Sequence, residues 1–288
     1  MRRLVVTGDD FGFSRGVNRA IVEAHEKGVL TSASLMVTGD AWEEAVSLAR
    51  AHPRLAVGLH LVIVCGRSVL SRAEVPHLVD HAGFFRTSPT RAGLLYQLHP
   101  AARAELRREI RAQLERFQQT GLPLDHVDGH LHLHVHPVVV DVLAELAAEF
   151  GIPAVRFPSE DFRLALRLDR TKIAAKVAAS TVFGLLRRQG ARRLRAAGVA
   201  VADRVYGLHS TGRVNEGYLA RLAPRIGEGW TEIYCHPASP EPGEPLNGPP
   251  GAGARELAAL VSARVRSAIA SEDLILTTSR EVVAASEP

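Results

Sequence analysis

Cysteine is scarce in this sequence, with only Cys65 and Cys235 among 288 residues. Two distant cysteines provide neither a disulfide framework nor the closely spaced pairs that hold structural zinc. Long apolar runs are also missing, since none approaches the roughly 20 residues that a transmembrane helix needs. The N-terminus has no apolar segment of the kind found in signal peptides. We therefore expect a cytoplasmic protein.

Two further absences narrow the range of functions. No Gly-x-Gly-x-x-Gly motif follows the first predicted strand, so nothing indicates a dinucleotide site. Aromatic residues make up only 5% of the chain, and no nucleic-acid-binding motif is present. Nucleic acid is therefore not an expected partner.

What the sequence does contain is a regular alternation of strand and helix patterns, which is typical of parallel βαβ units. We predict an α/β fold, a TIM-like (β/α) barrel of about seven or eight mostly parallel strands. An open doubly wound sheet is the alternative. The prediction is one domain over residues 1–288, with a loop or lid region at about 64–100 and a basic helical insertion at about 159–203.

The stretch Leu4–Gly12 joins an apolar run to two adjacent carboxylates, Asp9 and Asp10. This pattern predicts a buried strand whose C-terminal tip delivers acids into a pocket. Neighbouring side chains at a strand end point in different directions. One carboxylate can therefore bind a metal while the other accepts a proton. An ordinary Asp-Gly turn is the alternative interpretation.

Later predicted strands also end in polar residues, namely His60, Asp128-Gly129-His130, Arg156, His209 and His236. Because the C-terminal ends of parallel strands meet at one face of a barrel, we expect these side chains to converge there. One aspartate with two histidines is a suitable donor set for one divalent ion, either Zn²⁺ or a harder metal such as Mg²⁺.

A histidine run follows the fourth predicted strand, with His130, His132, His134 and His136 at alternate positions. At the strand spacing of about 3.3 Å per residue, these side chains spread over roughly 20 Å. One ion with Zn–N distances of about 2.0–2.1 Å can bind only one or two of them. The others can contact substrate, support the ligands or lead into the next helix.

Four motifs together resemble those of the YdjC-like carbohydrate deacetylases, in order and spacing, over nearly the whole chain. They are Thr7-Gly8-Asp9-Asp10-Phe11-Gly12, Val57-Gly58-Leu59-His60-Leu61, His126-Val127-Asp128-Gly129-His130-Leu131-His132 and Glu232-Ile233-Tyr234-Cys235-His236-Pro237-Ala238. The hopanoid biosynthesis-associated branch is the most similar, with a comparable His-x-His-x-His-Pro ending and a basic insert. Gly8 departs from the family's usual Ala. Asp128-Gly129 departs from that branch's frequent Asn-Ala and adds a carboxylate near the expected metal.

The resemblance implies metal-dependent removal of an acetyl group from an N-acetylated sugar, here the acetylglucosamine-type headgroup of a hopanoid lipid. Asp9 matches the family's general base, and His236 is the candidate general acid. The implied ligands of one divalent ion are Asp10, His60 and His130. We predict substrate contacts for His132, His134 and Arg156, and a structural ion pair is the alternative for Arg156.

Basic residues are concentrated in one segment, because residues 156–204 contain twelve Lys/Arg and four acids. One interpretation is an ordinary helical hairpin with a solvated basic face. The other is an interfacial helix that rests on anionic lipid. The second would suit a glycolipid substrate and a peripheral position at the inner membrane face.

Two other functions stay open at this point. One is deacetylation of soluble chitin-type oligosaccharides, which preferential turnover of a non-lipid sugar would favour. The other is a non-catalytic sugar- or lipid-binding protein on the same fold, against which the intact carboxylate pair and histidines argue. A homodimer is also left open.

Overall fold

The computed structural model describes residues 1–286 and is built on one parallel sheet. Residues 287 and 288 of the predicted domain lie outside this described range. The strands are β1 (Arg2–Phe11), β2 (Ser32–Leu35), β3 (Ala56–Leu61), β4 (Leu124–Gly129), β5 (Arg204–Tyr206), β6 (Gly229–Cys235) and β7 (Ile275–Leu276). From Leu4 to Phe11, β1 is buried throughout. Such continuous burial is expected for a strand inside a parallel sheet that is covered on both faces.

The sheet has the strand order β4-β3-β2-β1-β6-β5, and β7 pairs with the start of β1. All of these pairs are parallel. Between the edge strands, single bridges join Val127 to Val155 and Ala154 to Ala200. The result is a curled half-barrel, so the predicted parallel α/β fold is confirmed. Residues 1–286 contain no continuous ladder from β4 to β5 that would close a TIM barrel.

Helices follow most of the strands. They are α1 (Arg15–Lys27), α2 (Trp42–Ala51), α3 (Pro89–Leu98), α4 (Pro100–Gln119), α5 (Pro137–Phe150), α6 (Phe162–Leu168), α7 (Ile173–Ala196), α8 (Glu216–Leu222), α9 (Ala252–Leu260), α10 (Ala263–Ala270) and α11 (Ser279–Ala284). None of the helices within the described range is long and apolar enough to cross a bilayer.

The basic insertion is more regular than its sequence suggests. We expect two helices here, at about residues 171–186 and 189–197, yet α7 is continuous across residues 187 and 188. A Cβ added at Gly190 would lie only 2.6 Å from the ring of Phe157. This glycine therefore permits close packing of α7 and does not end a helix.

The region 64–100, predicted to be a lid, consists of turns followed by α3 and is attached to α4. Glu109 of α4 accepts the backbone N–H groups of Val69 and Leu70 at 2.8 and 2.9 Å. These bonds anchor the region to α4, and Pro89 at the start of α3 lines the cavity at the carboxyl ends of the strands. A lid function stays a prediction.

Candidate active site and metal centre

A cavity of about 520 Å³ opens at the carboxyl ends of the strands. It brings together six of the predicted residues: Asp9, Asp10, His60, His130, His132 and His236. His134 and Arg156 lie beneath the cavity with buried side chains. His209 does not line it, and its Nε2 lies 2.9 Å from Oγ of Ser180.

Both carboxylates at the end of β1 reach this cavity because the backbone leaves the extended conformation there. Asp10 has a φ of 64°, in the left-handed region that Asp adopts more readily than most residues. In a regular strand, Asp9 and Asp10 would face opposite sides of the sheet. Asn18 stabilises the turn, since its Oδ1 accepts the N–H of Gly12 at 2.8 Å.

Asp10, His60 and His130 bring three donor atoms within 4.8 Å of one another. Oδ1 of Asp10 lies 3.1 Å from Nδ1 of His130 and 3.4 Å from Nε2 of His60. Burial raises the pKa of Asp10, but hydrogen bonds from the two histidines outweigh it and hold this pKa well below its usual range. Two imidazoles and a carboxylate suit Zn²⁺ better than Mg²⁺, which prefers oxygen ligands. These residues therefore fit one divalent ion with open positions for water and substrate.

His60 is oriented by Asp128, its cross-strand partner on β4. Nδ1 of His60 donates to Oδ1 of Asp128 at 2.7 Å, which directs Nε2 toward Asp10. Burial by itself lowers the pKa of His60. The charge of Asp128 and hydrogen bonds to Asp10 and Asp128 outweigh burial and raise this pKa to about 10.

Arg156 is the positive centre beneath the cavity. Its guanidinium donates to both oxygens of Asp9 at 2.7 and 2.9 Å. It also reaches Oδ2 of Asp128 at 2.6 Å and Oε1 of Glu232 at 2.8 Å. Because its side chain is 0% exposed, this placement favours the ion-pair interpretation over a sugar contact. The guanidinium also compensates the negative charges of Asp9 and Asp128.

The histidine run forms a 3₁₀ turn, His130–Val135, and not the strand assumed for its spacing. Two of its residues have left-handed backbone, so the rings point in different directions. His132 lines the cavity, with Nε2 2.8 Å from Oη of Tyr234. His134 donates from Nε2 to the backbone carbonyl of Arg156 at 2.8 Å. Burial lowers the pKa of His134 to about 4, so this ring is neutral at pH 7.

His236 follows β6 and lies on the Asp9 side of the cavity. Its Nε2 is 3.8 Å from Oδ2 of Asp9, and its side chain is 22% exposed. The backbone N–H of His236 donates to Oε2 of Glu256 on α9 at 2.6 Å. Burial raises the pKa of this glutamate. The cavity thus places a titratable ring within reach of both solvent and Asp9.

Comparison with protein-family models assigns the chain to a family. The family described as "YdjC-like protein" matches residues 3–271, which include every strand end that lines the cavity. The chain belongs to the YdjC-like protein family.

Named relatives of this YdjC-like chain are carbohydrate deacetylases. One from Geobacillus stearothermophilus is 37% identical over 238 residues, which cover 82% of this chain and 80% of the relative. Another from Brevibacillus brevis is 47% identical over 156 residues, covering 54% of this chain. The matched region is only 59% of that second relative's length.

A solved structure from Enterococcus faecalis, described as a candidate cellobiose-phosphate cleavage protein, has the same fold. It superposes with a TM-score of 0.72 at 24% identity and covers 98% of both chains. At this identity the likeness establishes the fold of the YdjC-like chain alone.

The sequence-based prediction for this YdjC-like chain does not include Asn247 or Phe183, although both line the cavity. Asn247 donates from Nδ2 to Oδ2 of Asp10 at 3.2 Å. Phe183 of α7 lies against His132, with ring centroids 5.9 Å apart. An Asn in a Pro/Gly-rich loop is typical of a turn, and a Phe in an apolar helix is typical of core packing. Neither residue therefore carries a signal of its own.

Proposed function

We propose that this protein hydrolyses the acetamido group of an N-acetylated sugar and releases acetate and the free amino sugar. The names of the relatives support the reaction class. The observation that carries the proposal is the convergence of Asp10, His60 and His130 in one cavity with Asp9 and His236.

The residues divide the reaction between them. A divalent ion held by Asp10, His60 and His130 would polarise the acetyl carbonyl and lower the pKa of a water molecule. Asp9, held in place by Arg156, would accept a proton from the water molecule that attacks the carbonyl carbon. His236 donates a proton to the nitrogen when the C–N bond breaks, so that a neutral amine leaves.

The finer part of the proposal is that the sugar is the acetylglucosamine-type headgroup of a hopanoid lipid. One wall of the cavity is apolar and includes Leu131, Phe183 and Leu208. Phe183 belongs to α7, whose outer surface exposes Val182 by 53% and Leu185 by 63%. This apolar surface, followed by exposed arginines, supports peripheral contact of α7 with anionic lipid at the inner membrane face.

Acetate release from metal-stripped protein tests the proposal, with Zn²⁺, Co²⁺ or Mg²⁺ added back. The substrates are N-acetylglucosaminyl hopanoid and N,N′-diacetylchitobiose. We expect metal-restored release, with the lipid-linked sugar preferred. Release from chitobiose alone would support the deacetylation reaction but contradict the hopanoid lipid as substrate. No release from either substrate, with metal bound, would contradict deacetylation of these sugars and favour a binding protein.

A further inference from the structure

A chain of buried polar contacts leads from the candidate metal centre into the interior of the half-barrel. Oγ of Ser34 on β2 lies 2.8 Å from Oδ2 of Asp128 and 2.9 Å from Nε2 of His126. Nδ1 of His126 lies 2.8 Å from Oδ2 of Asp125. These four side chains are buried, and the reaction described above uses none of Ser34, His126 and Asp125.

The number of hydrogens along this chain determines the charge of His126. Asp128 accepts from Arg156 and His60, so it is ionised and can only accept. A serine hydroxyl has one hydrogen, which Ser34 must donate to this carboxylate. The contact between Ser34 and His126 is then a hydrogen bond only if Nε2 carries the hydrogen. Oγ of Ser34 also lies 3.5 Å from Oδ1 of Asp9. Because this oxygen too belongs to a carboxylate, Nε2 of His126 must carry the hydrogen whichever of the two carboxylates Ser34 donates to.

The second ring nitrogen must also be protonated. Nδ1 of His126 faces Asp125, whose other oxygen accepts the backbone N–H of Arg280 at 2.9 Å. Burial lowers the pKa of His126, but the bond to Asp125 and the charge of Asp128 outweigh it and raise this pKa. A carboxylate facing Nδ1 and a hydroxyl that accepts at Nε2 together require an imidazolium.

The fold contains a slot for this ring. Ser34 and Gly58 are register partners on β2 and β3. A Cβ at Gly58 would lie 2.5 Å from Cε1 of His126, so any larger residue would displace the ring. The absence of a side chain at this position therefore lets the imidazole reach Ser34 from β4.

We propose that His126 is a permanently protonated positioning residue of the metal centre. Through Ser34 it holds Asp128, and Asp128 in turn holds the ligand His60. Its positive charge also compensates the buried carboxylates that Arg156 alone leaves in excess. The effect on metal affinity rests on the proposed function, whereas the protonation state of His126 does not.

Nitrogen NMR of the histidine side chains tests the protonation state in the wild-type protein, with and without Zn²⁺. The His126 signals are assigned by comparison with His126→Gln. We expect both ring nitrogens to be protonated at about pH 8, well above the usual histidine pKa of about 6.5. A neutral ring at this pH would overturn the proposal. The protonation state is read from the wild-type protein, and the variant serves only to assign the signals.

A matched pair of serine variants tests the positioning role. Ser34 and Ser32 are both 0% exposed on β2. Within residues 1–286, Oγ of Ser32 has no hydrogen-bond partner. Ser34→Ala should raise the Kd for Zn²⁺ by about 10–100-fold, as is typical for residues that orient metal ligands, whereas Ser32→Ala should not.

Ser34→Thr, which keeps the hydroxyl, should restore most of the affinity. An unchanged Kd in Ser34→Ala, or an equal loss in both alanine variants, would refute the positioning role. If His126 is an imidazolium but the wild-type protein releases no acetate, the proposed function is wrong and the protonation state assigned to His126 stands.

Discussion

The two adjacent carboxylates at the end of β1 have different partners, and this difference supports the separate roles that we propose for them. Asp10 faces two imidazoles, whereas Asp9 is held by a guanidinium. Asp9→Asn should lower the rate of acetate release by about 10²–10⁴-fold, because it removes the proton acceptor. Bound metal, measured by elemental analysis, should stay near the wild-type amount.

Asp10→Asn is the matched control, since it changes the neighbouring carboxylate in the same way. This variant should lose metal and activity together, because Asp10 is the anionic member of the donor set. If Asp9→Asn loses as much metal as Asp10→Asn, the division of roles between these residues is wrong.

Glu160 gives a prediction for the pH dependence of stability. Burial raises the pKa of Glu160 to about 7, although Oε1 accepts the N–H groups of Gly207 and His209. The pKa of Glu160 is thus higher in the folded state than in the unfolded state. Its contribution to the free energy of unfolding is therefore complete below about pH 4.5 and is lost as the pH rises through about 7. Glu160→Gln should remove this pH dependence, which changes the free energy of unfolding by at most about 3 kcal/mol.

Urea unfolding between about pH 5 and 8 measures this effect. In Glu160→Gln the amide replaces Oε2, a buried atom without a hydrogen-bond partner among the described residues. Exposed Glu241→Gln is the control and should leave the wild-type curve unchanged. Parallel curves for wild type and Glu160→Gln would contradict the prediction.

Some site residues were predictable from local sequence, and others were not. His60 and Asp10 each end an apolar strand, so a parallel topology alone places them at one edge. Asn247 reaches the cavity because of the path of its loop, and Phe183 because of the packing of α7. Neither feature can be predicted from a local sequence pattern. The role of Arg156 depended on which carboxylates surround it, and these come from β1, β4 and β6.

At the scale of elements, α7 has an unusual distribution of exposed residues. Its first half exposes aliphatic side chains, including Ile173 and Val182. Its second half exposes arginines, although Arg187 is bound to backbone carbonyls and Arg193 to Asp141. The basic face that the sequence predicts is thus reduced to three exposed arginines that have no ion-pair or side-chain hydrogen-bond partner within residues 1–286, namely Arg188, Arg192 and Arg195.

Replacing these three arginines with Gln should weaken binding to anionic liposomes. Each basic residue near such a surface contributes about 1 kcal/mol, so the expected loss is about 100-fold. Sedimentation with vesicles that contain phosphatidylglycerol measures it, and added salt should reduce wild-type binding.

A control variant loses the same charge elsewhere, at exposed Arg255, Arg264 and Arg266. Equal binding by the two triple variants would refute a specific role for α7. Acetate release from chitobiose should be unaffected in both, since none of these six arginines lines the cavity.

The whole molecule explains why closure of the sheet could not be predicted. Alternating patterns specify parallel strands, but closure depends on the residues between β4 and β5. There, the strand that the sequence predicts to end in Arg156 makes only single bridges. The neighbouring insertion 159–203 gives no strand signal. Local periodicity therefore predicts the strands and their order of appearance, but not whether the edges meet.

The same architecture predicts that metal binding stabilises the entire fold. The candidate ligands come from the ends of β1 and β3 and from the turn after β4, so a bound ion links segments far apart in the chain. At a Zn²⁺ concentration about 100 times Kd, linkage gives about 2.7 kcal/mol. For a chain of this size, that corresponds to a Tm increase of about 4–5 °C. Calorimetry of metal-stripped protein should show this increase with Zn²⁺ and a smaller one with Mg²⁺.

Asp10→Asn should abolish the increase and Asp9→Asn should retain it, whereas equal increases in both variants would place the ion outside this donor set.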